Sequence, residues 1–177
     1  MDGYSLKNRT FLGEKLFCLM EKAGAFLGEH MWLWVILNLT WGLLGTSIGL
    51  LISGVIFLLP VKKTYSRVYG VPRVMFGDNW GGLSCSFFTF VANNMGEEWT
   101  EHVTRHEIGH TFQNAVLGPF FPFLVMIPSM VRYHIFRIRR AKGKPNPDYD
   151  AIWFEGSATS VGSEYAERRR DKKVDIA

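Results

Sequence analysis

The stretch best equipped for chemistry is His106-Glu107-Ile108-Gly109-His110. In a helix, residues i and i+4 lie one turn apart on the same face, so both imidazoles can reach one metal ion. Neutral imidazole suits Zn2+, and a catalytic zinc site keeps three protein ligands and one open, water-filled position. A carboxylate beside the first His can take a proton from a zinc-bound water whose pKa the metal has lowered. His106 and His110 are therefore the expected metal ligands and Glu107 the expected general base. Trp99 to Asn114 holds no Pro and only one Gly, so the motif falls in a helix, read as Glu97 to Val116. Gly109 costs that helix ~1 kcal/mol relative to Ala, which close approach of another backbone or of a substrate would explain. His102 lies too far along the helix to share an ion with His110 and is read as a surface or supporting residue.

A third ligand is needed. Tyr149 to Tyr165 offers Asp150, Glu155 and Glu164. Glu155 is preferred because Trp153, Phe154, Ala158 and Val161 give it a buried helical setting. A carboxylate among such side chains is costly unless it is paired or bound to a metal. Asp150 or Glu164 could instead orient a ligating His by accepting its other ring N–H.

HExxH followed some forty residues later by a Glu on a second helix resembles the gluzincin class of zinc metallopeptidases. The resemblance implies that His106, His110 and Glu155 bind zinc and that Glu107 is the base. It also implies that the strand before the motif helix, here Leu83 to Val91, holds extended substrate at a sheet edge. It supplies no matching oxyanion stabiliser, for which Tyr149, Tyr165 and His134 are the available candidates. The segments WGGLSCSFF, RHEIGHTFQNAVLGPFFPFLVMIPS and WFEGSATSVG are also similar to a group of small bacterial membrane proteins, over about residues 77–165.

The elements that must position these residues are unevenly apolar. Residues 1–30 read as an amphipathic helix, with Phe11, Leu12, Lys15, Leu16, Leu19 and Met20 on one side and Glu14, Glu21 and Lys22 on the other. Residues 31–60 contain no charged side chain. About 20 residues suffice for a transmembrane helix, so one tilted helix is the first expectation and a hairpin turning near Gly45 to Ser47 the second. Lys62, Lys63, Arg67 and Arg73 follow, which on the positive-inside rule places the chain after residue 60 in the cytoplasm. Residues 64–94 read as a small β-hairpin with strands near 68–76 and 83–91. Leu117 to Val131 is apolar but broken by Pro119, Pro122 and Pro128, as suits a re-entrant or membrane-surface segment extending over 117–136. A second, kinked pass ending at Phe136 is the other reading. A final helix is expected over Tyr149 to Glu167.

The 177 residues suit one domain, and a net charge of +4 is mildly basic. The cations cluster beside apolar segments, where anionic lipid headgroups account for them without nucleic acid. Cys18 and Cys85 match no metal or disulfide spacing and are read as free thiols. The expected architecture is α+β and mainly helical: an amphipathic helix over 1–30, a transmembrane segment over 31–60 and a zincin-like catalytic domain over 61–177. The expected function is a membrane-bound zinc-dependent metallopeptidase, an integral protein of a bacterial inner membrane with its metal site on the cytoplasmic side. Its expected partners are membrane lipid and a peptide or protein substrate; the oligomeric state stays open. The alternative is a non-catalytic, zinc-stabilised membrane protein that binds a partner.

Overall fold

The computed structural model describes residues 10–85 and 87–174. The chain is α+β and mostly helical, with a small mixed four-stranded sheet. At its centre is the helix Glu97–Leu117 (α4 in chain order), which carries the HExxH motif. Glu97 and Glu98 in its first turn complement the helix dipole. It stops at Gly118, whose φ of 57° is open to glycine but costly for other residues. Every residue of α4 from His106 to Ala115 is buried. A helix enclosed on all sides shows no apolar stripe, so its many polar side chains must find partners inside.

Three helices come before the sheet. Helix α1 (Phe11–Glu29) begins at Thr10, whose hydroxyl accepts from the Gly13 N–H. Residues 1–9 of the expected N-terminal helix lie outside the described residues. The buried side of α1 is Gly13, Phe17, Met20, Gly24 and Leu27, while Phe11, Leu12 and Leu19 are exposed. The apolar side read from the sequence is therefore divided, with Met20 buried, Leu16 half-buried and Phe11, Leu12 and Leu19 turned outward.

The expected single helix over 31–60 is two: α2 (Met31–Leu39) and α3 (Leu43–Leu58), bent by 85° across Thr40 to Gly42. No single described helix is long and apolar enough to cross a membrane, although this bent pair and the pair around Phe120 to Pro122 pass by length and composition. The bend falls earlier than Gly45, which lies within α3 against Asn114 of α4; Gly42, at the bend, meets the same residue. A side chain there would lie 2.9 Å from Asn114 Nδ2. Asn114 Nδ2 also donates to Asn38 Oδ1 at 2.6 Å and to Thr46 Oγ1 at 3.1 Å. The polar residues Asn38, Thr46 and Ser53 are buried, whereas Leu50, Leu51, Val55 and Leu58 are exposed. The bent pair thus turns polar side chains inward and apolar ones outward.

The sheet follows with strands β1 (Lys63–Val68), β2 (Val71–Phe76), β3 (Gly82–Cys85) and β4 (Phe88–Val91), in the order β1-β2-β4-β3. Two hairpins replace the single expected one. The strand expected over 68–76 is cut by Tyr69-Gly70, both at positive φ, as a two-residue hairpin turn requires. The hairpins join through a parallel β2–β4 pairing, Val74 opposite Phe90, which leaves β3 at an edge. Val74, Cys85 and Phe90 form a core with Ile56 of α3. The segment after α4 is also helical, through a 3-10 turn (Gly118–Phe120) and a π turn (Pro122–Met126) into α5 (Ile127–Ala141). A 3-10 turn (Tyr149–Ala151) leads into α6 (Trp153–Val174), which packs along both α4 and α1.

Candidate metal centre

Helices α4 and α6 meet at unusually short range. A Cβ at Gly109 would stand 2.6 Å from the Ala158 carbonyl carbon, and one at Gly162 would stand 2.7 Å from that of Arg105. Another backbone thus explains Gly109. On α6, Glu155, Ala158, Thr159 and Gly162 follow helical spacing along one stripe, and that stripe faces the motif.

The result is a buried triangle. His106 Nε2 and His110 Nε2 are 3.1 Å apart, and Glu155 Oε2 lies 3.1 Å from the first and 3.4 Å from the second. Tetrahedral ligands at ~2.0–2.1 Å from zinc stand roughly 3.3 Å from one another, so these three atoms fit around one ion. Glu155 is 0% exposed, and neither of its oxygens accepts a well-aligned hydrogen bond. The His nitrogens are close enough to Oε2 for ion pairing but are not aligned as donors to it. That is the arrangement of atoms converging on a shared centre. The buried His106, His110 and Glu155 group can hold a metal ion.

The other ring nitrogens are secured. His106 Nδ1 lies 2.8 Å from Thr159 Oγ1, whose hydroxyl donates to Asp150 Oδ1 at 3.1 Å. With its proton committed to Asp150, the Thr159 oxygen accepts from His106 Nδ1–H, which leaves the Nε2 lone pair facing the triangle. His110 Nδ1 lies 2.7 Å from Gln113 Oε1. Gln113 Nε2 donates to Phe154 O at 2.6 Å and to Ser157 Oγ at 2.9 Å, which fixes the amide orientation and makes Oε1 an acceptor. Asp150 therefore supports a ligand, as one expectation had it, but through Thr159. Glu164 pairs with Arg168 on the surface instead. Spacing alone does not single out Thr159 or Gln113. In hindsight the signal is positional, since each stands three or four residues from a ligand on the same helix.

Glu107 is buried beside the triangle and against the first residues of β3. A Cβ at Gly82 would lie 2.5 Å from Glu107 Oε1. Burial raises the Glu107 carboxyl above its ordinary range, opposed by the two nearby His side chains. Burial would raise Glu155 too, but His106 and His110 override it and hold that carboxyl well below the usual range. Burial alone would lower His110, and the Glu155 carboxylate instead raises it to about 9.

Of the three oxyanion candidates, only Tyr149 is at the site. Its ring is 6.0 Å from that of His106, and burial and the Glu155 charge raise its hydroxyl. Tyr165 packs on Phe112 of α4 further along α6 and donates to Tyr69 O, and His134 is exposed and meets Tyr133 edge-on. His102 is half-buried and stacks on Trp99. Cys18 and Cys85 are free, the first exposed and the second buried, and neither belongs to the triangle. Comparisons of this chain with protein-family models, with curated proteins and with solved structures give no match.

Proposed function

We propose that this chain is a membrane-bound, zinc-dependent metallopeptidase. The observation that carries the reading is a group of three buried potential ligands, rather than four, among the described residues, with a buried carboxylate, Glu107, next to them. A closed structural site favours four protein ligands, commonly with Cys, and has no use for a base. A zinc ion held there would supply Lewis acidity and an acidified water. The chain's own residues do the rest. His106, His110 and Glu155 bind, Thr159 and Gln113 keep both Nε2 atoms aimed inward, and Glu107 takes the proton of the attacking water. In this reading Tyr149, whose ring is 6.0 Å from that of His106, donates to charge developing on a peptide carbonyl oxygen. The edge strand β3 runs beside Glu107, and an extended peptide added along the part of that edge not taken by Glu107 would be held by backbone hydrogen bonds.

The membrane part of the reading rests on α2 and α3, whose outward apolar faces suit lipid. In it Lys62 and Lys63 lie on the cytoplasmic side of a bacterial inner membrane, together with the metal site.

One observation favours a metal-stabilised scaffold without catalysis: the Ser84 backbone N–H donates to Glu107, as it would to a structural carboxylate. Two variants separate the readings. Glu107→Gln should keep the metal and the fold while peptide hydrolysis drops ~10²-fold or more, and His110→Ala should lose the metal. If Glu107→Gln releases metal as readily as His110→Ala, the peptidase reading fails.

A further inference from the structure

Helix α5 presents its apolar side chains outward. Ile127, Met130, Val131, Ile135 and Ile138 are all exposed, the last by 55%. Its half-buried positions include Ser129, Arg132, Tyr133 and Arg139, and no residue of the helix is buried. A helix on a water-facing surface has the reverse pattern. An outward stripe of this length calls for an apolar medium or partner.

Charge selects among the occupants. Arg137, Arg139, Arg140, Lys142 and Lys144 crowd the end of the helix, and no Asp or Glu occurs between Glu107 and Asp148. An apolar face flanked by cations suits the plane of an anionic bilayer surface. Continuity points the same way. Trp41 at the α2–α3 bend and Phe120 ahead of α5 are both exposed, and their rings are 6.5 Å apart. They join the outer face of the bent pair to the start of the α5 stripe. A lipid surface covers both stretches at once, whereas a second copy paired along α5 adds only like charge.

We infer that α5 lies flat in the headgroup–acyl boundary of an anionic lipid surface and roofs the metal centre from that position. The inference rests on the membrane association proposed above and does not depend on peptidase activity. The roof is visible in the contacts of the inner face. Arg132 Nη2 donates to Asp148 O at 2.7 Å and to Tyr149 O at 3.1 Å. The Phe136 ring is 5.5 Å from Tyr149, which in turn stands beside His106. The metal centre is thus one layer of side chains below the lipid.

The test uses the full chain with Cys18→Ala and Cys85→Ala, carrying one added cysteine at a time: Ile127→Cys, Val131→Cys, Ile138→Cys or, as a reference on α3, Leu51→Cys. Each is nitroxide-labelled and reconstituted in phosphatidylcholine vesicles with or without phosphatidylglycerol. Depth is read from collisions with oxygen and with a water-soluble nickel chelate. The expected result is a lipid-buried Leu51→Cys label and three α5 labels at one shared, shallow depth that increases with phosphatidylglycerol. Arg137→Gln together with Arg140→Gln should abolish that increase. Depth rising along α5 by ~1.5 Å per residue would mean a spanning helix and overturn the inference. So would water-like access at all three positions, or spin–spin broadening between copies. If the Leu51→Cys label is also in water, membrane association itself fails and the inference with it.

Discussion

The carbonyl of Ala158 occupies the space that a side chain at Gly109 would need. This contact lets α6 lie close enough to α4 for Glu155, three residues before Ala158, to reach both His side chains. The separation of the helices and the geometry of the ligands are therefore one property.

Gly109→Ala has two opposing effects with a clear winner. Helix propensity favours Ala by ~1 kcal/mol, but overpacking a backbone contact costs roughly 1–3 kcal/mol and has no flexible side chain to yield. The expected outcome is a lower denaturation midpoint together with reduced metal content. An unchanged or raised midpoint would show that α4 and α6 can part freely.

Thr159→Val keeps the volume but removes the acceptor for His106 Nδ1–H and the donor to Asp150. Loss of such support typically costs 10–100-fold in metal affinity, roughly the range expected in competition with a chelator. Thr159→Ser should restore most of it. If Thr159→Val binds metal as tightly as the parent, the hydroxyl does not orient His106.

Metal affinity should depend on pH through His110. Without metal its folded pKa is raised from 6.5 to about 9, so the associated stability is full below 6.5 and is lost as pH rises through about 9. The depressed Glu155 contributes above its ordinary value of 4.5 and is lost as pH falls through its folded value. The pair thus stabilises the metal-free protein most between 4.5 and 6.5. A metal needs the neutral imidazole, so apparent affinity should rise about tenfold per pH unit and level off near 9. Calorimetry at neutral pH in buffers of different ionisation enthalpy should register release of about one proton from His110 per metal bound. A flat affinity profile would contradict the His110–Glu155 pairing.

The grouping of His106, His110 and Glu155 was legible because its information is local: two His one turn apart, and a Glu that its aromatic neighbours mark as buried. The bend at Thr40 to Gly42 was not, because it depends on Asn114 of α4, more than seventy residues away in the chain. The two-hairpin sheet was missed for a related reason. Tyr69-Gly70 is a turn only because Lys63–Val68 is available to pair with Val71–Phe76, and alternation within 68–76 looks continuous without that partner. Apolar periodicity also catches only part of the buried side of α1, Met20 but not Gly13, Phe17, Gly24 or Leu27. Gly24 packs into the Val161 side chain, and glycine carries no hydrophobic signal.

Tyr149→Phe leaves all three ligands and both ring-nitrogen partners in place. Metal content should be unchanged, and peptide hydrolysis should fall in kcat by about 10-fold to 10²-fold, the order of a lost donor to a developing oxyanion. A change confined to KM would mean that the hydroxyl binds substrate without stabilising charge.

The packing of α1 against α6, with Gly24 set into Val161 and Ser160 donating to Glu21, has a consequence for biosynthesis. During translation the apolar bend of α2 and α3 leaves the ribosome early, and His106 and His110 follow without a third ligand. Glu155 arrives on the last described helix, and that helix must settle between α1 and α4 before the triangle exists. A nascent chain therefore completes its long uncharged segment well before it can assemble the triangle. Capture of a metal at the triangle would then mark a chain whose first and last described helices have already found each other.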